Sequence, residues 1–127
     1  MKKAPARYTL EADLLNTLAH PTRLQILDLL RAGEACVCHI QAALRQRQAY
    51  VSQHLMALRQ AGLVASRKEG LRVFYQLNEP RVVQLLENVE SIVPAPGGRG
   101  QSSADLIPPP GHCNCPRCLG EAAPERT

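Results

Sequence analysis

Seven of the ten prolines and five of the eight glycines in this 127-residue chain lie after residue 93. Proline removes a backbone donor and glycine raises the entropy cost of ordering, so that stretch resists continuous helix or strand. Folding is thereby expected over residues 1–93, with residues 94–127 a flexible tail and not a second domain. A unit of that size buries only a modest core, and burial against a second copy of the chain helps it.

Within the first part, apolar residues recur at helical spacing. A first helix is predicted over Leu10–Leu18, with Leu14, Leu15 and Leu18 on one face. A second begins near His20-Pro21-Thr22-Arg23, where Pro21 suits the first turn. Leu24, Ile26, Leu27 and Leu30 fill its apolar side, and Gly33 can end it. A short third helix runs from Cys36 or Val37 to Leu44, and a fourth from Tyr50 to Gln60 with Val51, Leu55 and Leu58 at helical spacing. Leu63–Arg67 and Leu71–Leu77 read as two strands around a Glu69-Gly70 turn. A last helix starts at Glu79-Pro80 and carries Val82, Leu85, Leu86, Val89 and Ile92. The expected class is mostly α with a small β-hairpin wing, in the order α-α-α-α-β-β-α.

Charge gives this frame a purpose. From Arg45 to Arg72 six basic residues (Arg45, Arg47, Arg59, Arg67, Lys68, Arg72) face one acid, Glu69, so the window carries +5 against +4 for the whole chain. A local basic patch attracts phosphate. The fourth helix puts Gln48, Tyr50, Ser52, Gln53 and His54 at or near its N-terminal end. Glutamine can read an adenine edge in the major groove, and serine and tyrosine can hold phosphate. Arg67, Lys68 and Arg72 surround the wing tip and can grip the DNA backbone. A helix, a short helix, a turn, a helix and a basic hairpin form the winged helix-turn-helix order, which implies double-stranded DNA as the partner. With no Trp, one Phe and three Tyr, a stacking platform for single strands is not expected.

Two stretches resemble a known family. Leu18-Ala19-His20-Pro21-Thr22-Arg23-Leu24-Gln25-Ile26-Leu27 is similar to a signature of the ArsR/SmtB metal-sensing repressors, and Val51 through Val64 to that family's recognition helix and its exit. The resemblance spans roughly Leu10 to Ile92. It implies a homodimer built largely by the first and last helices, a partly palindromic operator, and loss of DNA affinity when an inducer binds. The apolar stripes of those two helices fit such an interface; intramolecular packing accounts for part of them equally well.

Ala35-Cys36-Val37-Cys38-His39-Ile40 places two thiols one residue apart just before the recognition element. In the family, Cys36 and Cys38 match a cysteine pair at the start of the third helix. The arsenic-responsive branch adds a third cysteine, and here that position is Gln41. Residues two apart on a regular helix point about 200° apart, so both thiols can hold one ion only where the helix has not yet closed or where binding unwinds that turn. The helix N-terminus also favours thiolate over thiol. The missing ligands can come from the tail, where His112, Cys113, Cys115 and Cys118 fall within seven residues. The expected metal set is Cys36, Cys38, Cys113, Cys115 and Cys118. An independent tail site, or incidental oxidation-prone thiols, remain open alternatives. Sulfur ligation suits As(III), Sb(III), Cd(II), Pb(II) or Zn(II) as inducer, with no organic cofactor. The family's Asp/His site on the last helix is not expected, because that helix carries Glu79, Glu87 and Glu90 but neither Asp nor His. His39 reads as an exposed polar residue by default, with an extra ligand as the alternative, His20 as a cap or core contact, and His54 as facing DNA or the helix–wing seam.

An enzyme is not expected, since no nucleophile–base pair sits in a pocket-forming frame. A redox or persulfide sensor on the same fold, using the same cysteines, is the stronger rival. A constitutive repressor with inert thiols is the third reading. No apolar segment follows Lys2-Lys3 and no apolar run reaches a membrane span. The expectation is therefore a cytoplasmic protein whose thiols are kept reduced, without a membrane partner.

Overall fold

A computed structural model describes residues 5–94. Eight elements follow one another: α1 (Ala6–Leu18), α2 (Pro21–Arg31), β1 (Ala35–Cys36), α3 (Val37–Leu44), α4 (Gln48–Gln60), β2 (Val64–Glu69), β3 (Arg72–Leu77) and α5 (Arg81–Ile92). This is a winged helix-turn-helix with one strand more than expected.

Local signals set the boundaries. The His20 side chain caps α2 by accepting from the Thr22 N–H at 3.1 Å, and Pro21 takes the first helical position. Three backbone features close α4. Leu63 N–H reaches Leu58 C=O at 3.0 Å, Gly62 N–H reaches Arg59 C=O at 3.0 Å, and Gly62 adopts φ +79°. That pair of bonds is a Schellman ending, which needs a residue at ease in the left-handed region. Gly70 (φ +61°) opens the two-residue turn that leaves Glu69 paired with Arg72.

Several boundaries differ from those read in the sequence. Helix α1 begins four residues earlier than Leu10, and α4 begins at Gln48 where Tyr50 was expected. Strand β2 runs on to Glu69, and β3 starts at Arg72. On α2 the buried face includes Leu29 at 2% exposure, whereas Leu24 stays 36% exposed.

The core lies where α2, α3, α4 and α5 converge. Ile26, Leu27, Ile40, Val51, Leu55 and Leu58 are fully buried. Each such aliphatic side chain contributes about 1.5–3 kcal/mol of burial. Val82 and Leu86 bring α5 onto this core, and Arg31 on α2 pairs with Glu87 and Glu90 across it.

The sheet order is β1-β3-β2, antiparallel throughout. Because strand side chains alternate, β1 divides its two residues between two faces. Ala35, opposite Tyr75, joins the main core. Cys36, opposite Phe74, joins a separate small cluster with Phe74 and Cys38. Phe74 is thus buried, on the face opposite to Tyr75 and Leu77. Strand β1 went unseen in the sequence because two residues carry no periodicity, and its pairing with β3 is made 38 residues away.

Candidate nucleic-acid interface and thiol site

Helix α4 divides cleanly. Val51, Leu55 and Leu58 anchor it in the core. Gln48, Ala49, Tyr50 and Gln53 are exposed, and Ser52 is half-buried, so the N-terminal turns present hydrogen-bonding side chains to solvent. Arg45 and Arg47, both exposed, flank the turn between α3 and α4. Arg45 closes α3 in the left-handed region at φ 55°, and Arg47 leads into α4 with extended backbone. Lys68 and Arg72 are exposed on the wing beside the Gly70 turn. The expected DNA-facing residues of turn, helix and wing therefore mostly reach the surface.

His54 lies apart from these exposed residues. It is 7% exposed, and its ring turns inward toward the start of α2. Its Nδ1 accepts from Arg23 Nε at 3.1 Å. The His20 ring lies 4.2 Å away and the Tyr50 ring meets it edge-on at 4.6 Å. Tyr50 and Thr22 close the set through their hydroxyls at 3.2 Å, and Arg23 also donates to the Thr17 carbonyl. Burial, then the neighbouring His20 and Arg23, hold the His54 imidazole below its ordinary pKa. His54 is a seam between α2 and α4. The polar outer end of α4 suggested a DNA contact, but the long-range partner Arg23 decides its direction.

Arg67 also departs from a simple phosphate grip. Its guanidinium meets Glu34 at 2.6 and 2.8 Å and Glu69 at 2.6 Å, and lies 4.6 Å from the centre of the Phe74 ring. The two carboxylates raise its pKa further. Glu34 stands 33 residues away in sequence, outside the basic window, and no local pattern pointed to it.

The thiol pair lies where the helix has not yet closed. Cys36 is the residue before α3, with extended backbone at φ −76° and ψ 159°, and its Sγ accepts from the His39 N–H at 3.3 Å. Cys38 is the second residue of α3. The two sulfurs are bonded to each other as a disulfide, across a Cα–Cα distance of 5.4 Å. The extended residue removes the 200° divergence of a regular helix. Cys36 is 1% exposed. His39 is buried at 6%, against the exposed position expected for it. Among the described residues no group of three or more His, Cys, Asp or Glu is placed to hold a metal ion. Two sulfurs can share a soft ion but do not complete its shell. Cys113, Cys115 and Cys118 lie outside the described residues.

Among the described residues no helix is long and apolar enough to cross a membrane. On α1 and α5, Leu15, Val89 and Ile92 are exposed in the single chain, at 56%, 41% and 79%.

Comparisons with known proteins agree with this architecture. The family described as bacterial regulatory protein, arsR family, matches residues 20–66. A biofilm growth-associated repressor of Agrobacterium fabrum is 43% identical over 90 residues, 71% of this chain and 77% of that protein. The arsenical resistance operon repressor of Escherichia coli is 44% identical over 72 residues, 56% of this chain and 62% of that one. The solution structure of the homodimeric winged helix-turn-helix DNA-binding domain Mb0332 from Mycobacterium bovis matches with a TM-score of 0.62 and 34% identity, covering 72% of this chain and 89% of that one. These relatives are transcriptional regulators, not enzymes. With its α4 surface, basic wing and shared sequence, the chain belongs to the arsR family of bacterial regulatory proteins and is a winged-helix transcriptional repressor of the ArsR/SmtB type.

Proposed function

We propose that this repressor binds operator DNA as a homodimer in the cytoplasm and releases it when a thiophilic ion is captured by Cys36 and Cys38. The observation that carries the reading is the meeting of both sulfurs at the open end of α3, one turn-and-helix away from the DNA-facing end of α4. The inducer is As(III), Sb(III), Cd(II), Pb(II) or Zn(II), as the thiolate chemistry and the arsenical-resistance relative suggest. The pair supplies two ligands, and Cys113, Cys115 or Cys118 supplies the rest. Contact with DNA is assigned to Arg45, Arg47, Gln48, Tyr50, Ser52, Gln53, Lys68 and Arg72, with Arg67 conditional on its release from Glu34. Capturing an ion requires both thiols reduced and deprotonated, which the start of α3 favours.

The disulfide itself supports a second reading, a redox or persulfide sensor. Two thiols become one disulfide by giving two electrons and two protons to an oxidant such as a polysulfide, with no metal involved. One experiment separates the two. A DNA duplex selected from a random pool by the reduced protein is titrated with As(III) or Cd(II) under reducing conditions, and in parallel with polysulfide. Release with ion, together with near-ultraviolet thiolate-to-metal absorbance, supports the first reading. Release with polysulfide alone supports the second. Release with neither defeats both.

A further inference from the structure

Arg67 is a basic residue of the wing whose charge the fold itself neutralises. Two carboxylates, Glu34 and Glu69, hold its guanidinium, and the three groups together sum to −1. The Glu34 contact is a two-pronged fork at 2.6 and 2.8 Å, and the Glu34 side chain is only 18% exposed. Forked guanidinium–carboxylate pairs are strong and directional, and a partly dry one is poorly screened by salt. A phosphate makes the same kind of fork. Operator DNA and Glu34 therefore want the same face of Arg67.

Glu34 is also tied to the thiol pair. It immediately precedes β1, whose second residue is Cys36. Phe74 stands opposite Cys36 on one side and opposite Arg67 on the other, and its ring lies beneath the guanidinium. A shift of Cys36 consequently reaches two of the three groups that hold Arg67, the carboxylate before Cys36 and the ring across from it, and leaves Glu69 in place. We infer that Glu34 competes with operator phosphate for Arg67, and that the state of the Cys36–Cys38 pair sets which one wins. In the bonded state described here Glu34 has it. Glu34 is thus a positioning residue for the wing. This inference rests on the thiol-triggered reading above.

The test measures operator affinity against salt concentration, using full-length protein and the selected duplex, for wild type, Glu34→Gln and Glu34→Asp in reduced and oxidised states. Each phosphate contact steepens the slope of log K against log salt by about 0.9, so two wings give about 2 per dimer. Oxidised Glu34→Gln is expected to show a slope steeper than oxidised wild type by about that amount, with tighter binding at low salt. Glu34→Asp, which keeps the charge, is expected to behave as wild type. Circular dichroism confirms that each variant is folded. If wild type releases operator on oxidation while folded Glu34→Gln shows the same slope, or binds more weakly, the competition is wrong and the thiol reading stands. If wild type holds operator equally in both thiol states, the redox reading falls and the coupling drawn here falls with it, while release by an ion is left to the titration above.

Discussion

Arg23 donates a hydrogen bond from its Nε to Nδ1 of His54, at 3.1 Å, and so joins the first turn of α2 to the middle of α4. The accepting nitrogen must be unprotonated, and two basic neighbours, His20 and Arg23, stand against a second proton on the ring. The pKa of His54 is depressed in the folded chain from an ordinary value of 6.5. The sign follows. The stabilising contribution is fully present above 6.5 and is lost as pH falls below it through the folded value. Wild type is expected to lose more stability between pH 7 and pH 5 than His54→Gln, measured by urea unfolding at each pH. Parallel losses would show that the seam does not titrate.

Burial on α2 makes a second prediction. Leu29→Ala should cost about 2–5 kcal/mol, as for other buried leucines, while Leu24→Ala should cost under about 1 kcal/mol. Denaturant unfolding of the two variants checks this, and equal costs would mean that the helix is rotated from its described face.

The exposed apolar side chains of α1 and α5 make a third. Leu15→Glu and Ile92→Glu alter residues that are 56% and 79% exposed in the single chain, so each protomer should still fold. Sedimentation is expected to show a monomer, with operator affinity lowered by roughly tenfold or more, because two half-sites are no longer bound together. A dimer that survives both changes would place the interface elsewhere.

On DNA, helix and turn residues should separate by kind. Gln53→Ala is expected to relax base preference at one position per half-site by about 1–3 kcal/mol. Arg47→Ala should weaken binding to all duplexes alike and lower the salt slope by about 1 per protomer. Selection from random duplexes and salt titrations read the two effects.

Much of this was legible in the sequence, for physical reasons. The helices α2 to α5 announce themselves by apolar spacing and local punctuation: Pro21 at a start, Gly33 past an end, Gly70 at a turn. The 200° divergence of helical neighbours left two ways for the thiols to meet, an open helix start or an unwound turn, and Cys36 precedes α3 with extended backbone. What stayed hidden depends on partners far along the chain. Strand β1 exists because Phe74 and Tyr75 pair with it. His54 turns inward because Arg23 awaits it, 31 residues away. Arg67 counted as a phosphate contact until Glu34, from before the basic window, took its guanidinium. Periodicity and composition are local, and these contacts are not.

The most direct measurement is operator release by As(III) or Cd(II) from reduced wild type, Cys36→Ser, Cys38→Ser and the triple change of Cys113, Cys115 and Cys118 to Ser. Cys36→Ser and Cys38→Ser are expected to bind operator as wild type does and to keep it when the ion is added. The triple variant is expected to need more ion for the same release. Wild type that grips the duplex equally with and without these ions and with and without polysulfide, or cysteine variants that respond as wild type does, would contradict the account.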